Sequence, residues 1–207
     1  MSVSRAAAVV VAVLLVQLVL ASEVLGGVLT DQIRARVDEM YRLVRAPAVS
    51  EAPRGDRRAA VRKVADEMFD WAEMARSSLG RHWQARTPEE RTKYVRLFAD
   101  LFEDAYLSKI QLADAEKFRY LGDAVDGDDA LVRTKVVTKS GSEIDVDYRL
   151  RRHEGDRWKV SDLIVESVSL VDNYRAQFNV VIVRSSFQEL INQMKVVQQK
   201  RGTMPRS

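Results

Sequence analysis

The sequence changes its hydrophobic period near its middle, and this change limits the folds that it can adopt. In roughly the first half, apolar residues recur at the 3.6-residue spacing of an amphipathic helix. The segment EIDVDYRLRR alternates instead, placing Ile144, Val146 and Tyr148 on one side and charged residues on the other. Helical spacing returns after Ser169. Helices, then strands, then helices predict an α+β domain in which a helical layer covers the apolar face of a sheet.

The strand region predicts a four-stranded antiparallel curved sheet. Its alternating runs are separated by DGDD, KSGS and HEGD, which are short turns rich in Gly and Asp. Short turns join antiparallel neighbours, so consecutive strands are expected to pair as a meander. The predicted strands are Glu116–Gly122, Ala130–Thr138, Glu143–Arg152 and Arg157–Glu166.

Capping signals mark the predicted helix ends. Thr87, Pro88 and Glu90 form a capping box with proline at the first helical position. Asp70 is an N-cap candidate, and Gly80 follows the end of the same helix. We expect a single domain over residues 27–200, with helices in 30–114, the sheet in 116–166, C-terminal helices in 169–199 and a disordered tail in 201–207.

The N-terminus, residues 1–26, is predicted to be a cleaved secretory signal peptide. Arg5 precedes an apolar stretch from Ala6 to Leu20, and small residues follow at Ala21 and Gly26. The alternative is an uncleaved membrane anchor, but the stretch is shorter than the roughly 20 residues that a span needs. We therefore expect an exported, soluble mature protein.

Composition excludes several classes of protein. An apolar content of 46% excludes a disordered chain, and a net charge of +3 is too small to indicate a nucleic-acid partner. The chain has no cysteine, which excludes disulfides, thiol catalysis, thiolate metal sites and lipid attachment at a cysteine.

The polar stretch VESVSLVDNYRAQF is the strongest catalytic candidate, and it lacks a catalytic constellation. Ser167 and Ser169 are outside any Gly-x-Ser-x-Gly motif, and His82 and His153 are distant in the sequence. A serine nucleophile there has no evident base. Ser169 is better interpreted as a helix N-cap, with Asp172 three residues later.

No metal site is predicted either. Two distant histidines leave only carboxylates as ligands, and DGDD does not begin a complete twelve-residue calcium loop. Asp145 and Asp147 share the outward side of a strand, where contacts with water or basic neighbours are expected. No cofactor is predicted.

At this point several runs of the chain together resemble one family. FDWAEMARSSLGRHW is similar to the F-D-x-x-x-M-A-x-x-x-L-G-x-x-W run of the MlaC family, the periplasmic phospholipid-binding toluene-tolerance proteins. The matching positions in the first half are Phe69, Asp70, Met74, Ala75, Leu79, Gly80, Trp83, Phe98 and Tyr106. Those in the second half are Tyr148, Trp158, Lys159, Val160, Asp162, Glu166, Val168, Ser169, Leu170, Asn173, Tyr174, Arg175 and Phe178.

The resemblance implies a cone like that of nuclear transport factors, with a helical subdomain and a cavity for acyl chains. It also implies a non-enzymatic periplasmic carrier that moves phospholipid between an outer-membrane lipoprotein complex and an inner-membrane ABC transporter. Bulky residues on the helices and strands are either ordinary core or the walls of such a cavity. The predicted lipid-binding residues are Tyr94, Phe98, Leu101, Phe102, Val146, Tyr148, Trp158, Val160, Tyr174 and Phe178.

The chain departs from the family pattern at two places. Ser167 stands where the family usually has glycine, and Ser185-Ser186 replace a glycine before the last helix. Either the backbone at these positions does not need a positive φ, or it is strained. The departures indicate a divergent subgroup and leave open another membrane lipid, such as a hopanoid.

Two other classes of function remain open from the residues. An enzyme on the same cone needs a carboxylate in its pocket, and strand parity puts Asp162 on the same side as Trp158 and Val160. The alternative is a buried Asp satisfied by the backbone or by Arg175. An adaptor that binds proteins through exposed apolar surface is the third possibility.

Overall fold

The computed structural model describes residues 27–45, 54–107 and 115–203, and the predicted signal peptide lies outside them. Two helices precede the central helical segment, and two more follow the sheet, as the periodicity predicts. The helices are α1 (Val28–Arg45), α2 (Arg54–Met68), α3 (Trp71–Leu79), a 3-10 turn (Gly80–His82), α4 (Pro88–Phe102), a π turn (Glu103–Leu107), α5 (Leu170–Arg184) and α6 (Phe187–Thr203).

The caps form as predicted and explain where the helices begin. The Thr87 side chain accepts a hydrogen bond from the Glu90 amide at 3.2 Å, and the Glu90 carboxylate accepts one from the Thr87 amide at 3.0 Å. Asp70 accepts a bond from the Glu73 amide at 3.0 Å. Each cap satisfies amides that the first helical turn leaves without partners. The last helix extends into the predicted tail, whose final residues lie outside the described part of the chain.

The sheet is antiparallel in the order β1-β2-β3-β4-β5. It has five strands, so the prediction of four is wrong. The additional strand has two residues and pairs with Ile164 and Val165. A segment this short carries no alternation that could predict it. The strands are β1 (Ala115–Asp126), β2 (Asp129–Thr138), β3 (Glu143–His153), β4 (Arg157–Val165) and β5 (Val168–Ser169).

The turn between β4 and β5 contains Ser167, where the family usually has glycine. Glu166 and Ser167 connect the paired strands, and their φ angles are 49° and 65°. Positive φ at both central residues is the conformation of a type I′ hairpin turn, in which non-glycine residues are strained by about 1 kcal/mol each. Ser185 has a φ of −135°, so no glycine is required there.

The helices meet the sheet in two places. Helix α1 lies along β1, where Tyr41 packs edge-on against Phe118 with ring centroids 5.2 Å apart. Helices α2, α3 and α5 contact β4, where Phe69 forms a parallel bridge with Val160 and the Asp70 amide donates to the Val160 carbonyl at 2.8 Å. The core is continuous across both regions. Within the described ranges, no helix is both long and apolar enough to cross a bilayer.

Candidate functional site

The predicted residues on the helices form a connected aromatic cluster between α4 and α5. Tyr94 and Phe98 have ring centroids 6.2 Å apart, and Phe98 and Phe102 are 6.1 Å apart along the same helix. Tyr174 stands edge-on to Phe98 at 5.6 Å and stacks on Phe178 at 5.2 Å. These rings recur at i and i+4, so they line one side of each helix, and the contacts between them show that the two sides face each other. The five residues are called the aromatic cluster below.

The predicted residues on the sheet belong to the same continuous core. Val160 is fully buried on β4, and Tyr148 is buried on β3. Val146 and Trp158 are half-buried and pack against the core, as does Leu101 of α4. The structure therefore brings all the predicted wall residues into one apolar region. Surface clefts of about 370 to 510 Å³ beside Pro88, Gly80, His82 and Ala124 are lined by none of the predicted wall residues.

The lipid-binding prediction omits aromatic residues that extend the cluster. Phe69 stacks on Trp71 at 4.8 Å and lies 5.7 Å from Phe102. Phe187 lies 6.0 Å from Tyr94. Phe69 belongs to the family run, but its place beside the cluster depends on the bridge to Val160. Local spacing contains no signal for such a long-range pairing.

One buried tyrosine of the cluster is fully paired. The Tyr94 hydroxyl lies 2.7 Å from the Ser78 hydroxyl, which also donates to the Ala75 carbonyl at 2.8 Å. Burial raises the pKa of Tyr94, and the bond with Ser78 opposes that rise. Tyr94 is therefore a neutral phenol whose polar atom is satisfied inside the protein.

The strand-parity prediction for Asp162 is wrong because β4 contains a bulge. Arg149 pairs with Asp162 but Leu150 pairs with Val160, so Ser161 is an extra residue on β4. An extra residue reverses the alternation beyond it. Asp162 therefore lies opposite Arg149 rather than on the side of Val160.

The contacts of Asp162 are those of a structural carboxylate. It accepts hydrogen bonds from the Ser169 hydroxyl at 2.6 Å, the Val171 amide at 3.1 Å and the Arg149 guanidinium at 3.4 Å. Arg175, the alternative partner, bonds instead to the Ser77 carbonyl at 2.8 Å and forms an ion pair with a neighbour on its own helix. Asp162 anchors the start of α5 to the sheet.

The other catalytic candidates are also engaged in local structure. Ser169 accepts a bond from the Asp172 amide at 3.0 Å, which confirms it as the N-cap of α5. His82 lies 3.0 Å from the Asn179 side chain, and His153 lies 2.8 Å from Asp70. Neither histidine bonds to a serine hydroxyl among the residues that the structure describes. In the same ranges, no group of three or more His, Cys, Asp and Glu residues is placed to hold a metal ion.

Comparison with known proteins identifies the family. The model of the MlaC protein family matches residues 34–196. A phospholipid-binding protein from Ralstonia solanacearum, solved in complex with a phospholipid, has a TM-score of 0.70 and 22% identity, covering 80% of this chain and 94% of that one. A protein described as an NTF2-like transpeptidase from Campylobacter jejuni has a TM-score of only 0.29 and 12% identity, covering 52% of this chain and 97% of that one. No curated protein sequence matches. The Ralstonia structure shows a shared fold, and the family match shows that this chain belongs to the MlaC family.

Proposed function

We propose that this protein is a periplasmic phospholipid carrier that holds acyl chains between the sheet and the aromatic cluster. It exchanges lipid with an inner-membrane ABC transporter and an outer-membrane lipoprotein complex. Membership of the MlaC family over residues 34–196 carries the proposal. The phospholipid in the Ralstonia protein of similar fold supports the choice of ligand. The continuous apolar region formed by α4, α5, β3 and β4 supports the place.

The energetics of lipid transfer favour an enclosed carrier. Two acyl chains with roughly 30 methylenes represent about 24 kcal/mol of hydrophobic transfer at about 0.8 kcal/mol each. A lipid held that tightly needs a partner that stabilises an open carrier before release. In the structure the aromatic cluster and the sheet residues are packed together. Lipid entry therefore requires the helices and the sheet to separate.

The contacts of Asp162 favour a carrier over an enzyme on this fold. A pocket acid or base needs a carboxylate aimed at the substrate. Asp162, the candidate for that role, is occupied by Ser169, Val171 and Arg149.

Lipid content of the natively exported protein tests the proposal directly. We expect native mass spectrometry of protein purified from an envelope fraction to show a bound phospholipid, and its N-terminus to begin after the predicted signal peptide. Solvent extraction and lipid analysis identify the headgroup and chains. A lipid-free protein that also fails to take up phospholipid from vesicles contradicts the proposal.

Substitution of a wall residue provides a sharper test. Val146→Trp places a large ring at the half-buried wall position of β3. Overpacking of about 1–3 kcal/mol corresponds to a loss of roughly 5- to 150-fold in lipid affinity. Val183→Trp is the matched control because Val183 is 62% exposed on α5. We expect only the Val146 variant to lose co-purified lipid, with circular dichroism unchanged in both. Equal lipid content in the two variants contradicts this location.

A further inference from the structure

The seam between α1 and the sheet is built differently from the aromatic cluster. Tyr41 donates a hydrogen bond to the Ala115 carbonyl near the start of β1, and Thr30 donates one to Asp123 farther along that strand. Between these contacts, the Arg34 guanidinium lies 4.8 Å from the centre of the Tyr120 ring. Helix α1 thus covers one side of β1 from Ala115 to Asp123, while Glu116, Lys117 and Arg119 are exposed.

Two polar atoms beneath α1 are buried without a hydrogen-bond partner among the described residues. The Tyr120 hydroxyl and the Asp123 Oδ2 atom are buried and unpaired. Tyr148 is 7% exposed, and no hydrogen bond is formed by its hydroxyl within the described part of the chain. Buried polar atoms are almost always paired, and each unpaired one costs about 1–3 kcal/mol. Two such atoms, with the unbonded Tyr148 hydroxyl as a third polar group, are therefore available to a polar ligand in this seam.

The sheet register places Tyr120, Asp123 and Tyr148 on one face of the sheet. Asp123 pairs with Val132 on β2, and Val132 pairs with Tyr148 on β3, so Val132 lies between Asp123 and Tyr148 in one cross-strand row. Tyr120 precedes Asp123 on β1 and is near enough to Tyr148 to contribute to the raised pKa of its phenol. Neighbours in such a row share one face of a sheet.

We infer that Tyr120, Tyr148 and Asp123 form a subsite for the uncharged, ester-bearing part of an acylglycerol lipid. The inference rests on the proposed function, because it supplies the polar end of a lipid whose chains occupy the aromatic cluster. The Tyr148 ring belongs to the apolar core, so its hydroxyl lies where that core meets the seam. Entry of the ester group requires α1 to move away from β1.

The chemistry of the groups specifies which part of the lipid they recognise. Burial raises the pKa of Tyr120 and of Tyr148, so both phenols remain protonated donors at neutral pH. Ester carbonyls are acceptors without charge, which suits two phenol donors. Asp123 accepts from a lipid hydroxyl but repels a phosphate in a poorly solvated seam. Arg34 does not cancel that repulsion, because it is paired with Asp31 at 2.6 Å.

Paired ester and ether lipids test the subsite. The probes are a diacyl phosphatidylethanolamine and its dialkyl ether analogue with the same headgroup and chain lengths. The two lipids compete for binding to the delipidated full chain, and native mass spectrometry measures how much of each is bound. The variants are Tyr120→Phe and Tyr148→Phe, which remove only a hydroxyl. Tyr41→Phe is the matched control, because its hydroxyl is already bonded to the Ala115 carbonyl.

We expect each subsite variant to bind the ester lipid roughly 3- to 10-fold more weakly than the wild-type protein does, because one hydrogen bond is lost. Its affinity for the ether lipid should equal that of the wild-type protein. The Tyr41 variant should keep the wild-type ratio of ester to ether affinity. Equal effects on the two lipids, or no effect on either, overturn the subsite while leaving the carrier function intact. A wild-type protein that binds neither lipid overturns both proposals.

Discussion

Two buried tyrosine hydroxyls show how the two sides of the interior differ. Tyr94, in the aromatic cluster, has its hydroxyl paired with Ser78 at 2.7 Å. Tyr120, in the seam under α1, has a buried hydroxyl with no partner. The cluster is therefore satisfied in the closed protein, whereas the seam leaves polar atoms that stability alone does not explain. Apolar walls can hold a hydrocarbon chain without hydrogen bonds, whereas the ester groups of a lipid need donors and acceptors at defined positions.

The largest effect is expected from truncation of a ring in the cluster. Phe98 is fully buried and contacts Tyr94, Phe102 and Tyr174. We expect Phe98→Ala to lower the free energy of unfolding by about 3–5 kcal/mol, because it removes burial and leaves a cavity. Urea denaturation followed by circular dichroism measures this loss. Val183→Ala, at an exposed position, should change stability by less than about 0.5 kcal/mol.

A loss below about 1 kcal/mol for the Phe98 variant would show that the cluster is loosely packed in solution. The helices and sheet would then already be separated without a partner, and the contrast with the seam would disappear.

The two tyrosines provide the most direct test of the comparison. Tyr94→Phe removes a paired hydroxyl and leaves Ser78 without that bond, so we expect a loss of about 1 kcal/mol in unfolding free energy. Tyr120→Phe removes an unpaired buried hydroxyl, so we expect a gain of about 1 kcal/mol. Both are measured on delipidated protein by urea denaturation. Destabilisation of similar size in both variants would mean that Tyr120 has a partner in solution.

The β4–β5 turn, which joins the sheet to α5, should show a smaller effect on the free energy of unfolding. Ser167 has a φ of 65°, where glycine is unstrained, so Ser167→Gly should raise the free energy of unfolding by about 1 kcal/mol or slightly less. Ser185→Gly is the matched control, since its φ of −135° gives glycine no advantage. Thermal and urea denaturation compare the two. A gain at Ser185 equal to that at Ser167 would rule out backbone strain as the cause.

Much of the fold could be predicted because it depends on local signals. The capping box at Thr87 and the N-caps at Asp70 and Ser169 form as expected from their residue types. The alternation around Tyr148 correctly predicted a strand with one buried side. Helical spacing predicted an apolar side on each of the helices that carry Phe98 and Tyr174, but it contains no information that these two sides face each other.

The remaining features could not be predicted because they depend on pairing between distant segments. The bulge at Ser161 reverses the side of Asp162, and only the register against β3 reveals it. The fifth strand depends on two residues with positive φ, neither of which is glycine. Phe69 joins the aromatic cluster through a bridge to a strand far along the chain.

The α+β class, the helix caps and the apolar faces follow from local sequence, since periodicity and capping act within a few residues. The resemblance to the MlaC family also came from ordered residues in the sequence, and the family match confirms it. The surroundings of Asp162 and the unpaired atoms under α1 depend instead on how distant segments pack together. Hydrogen bonding of a buried group depends on which distant side chains surround it, and local sequence does not contain that information.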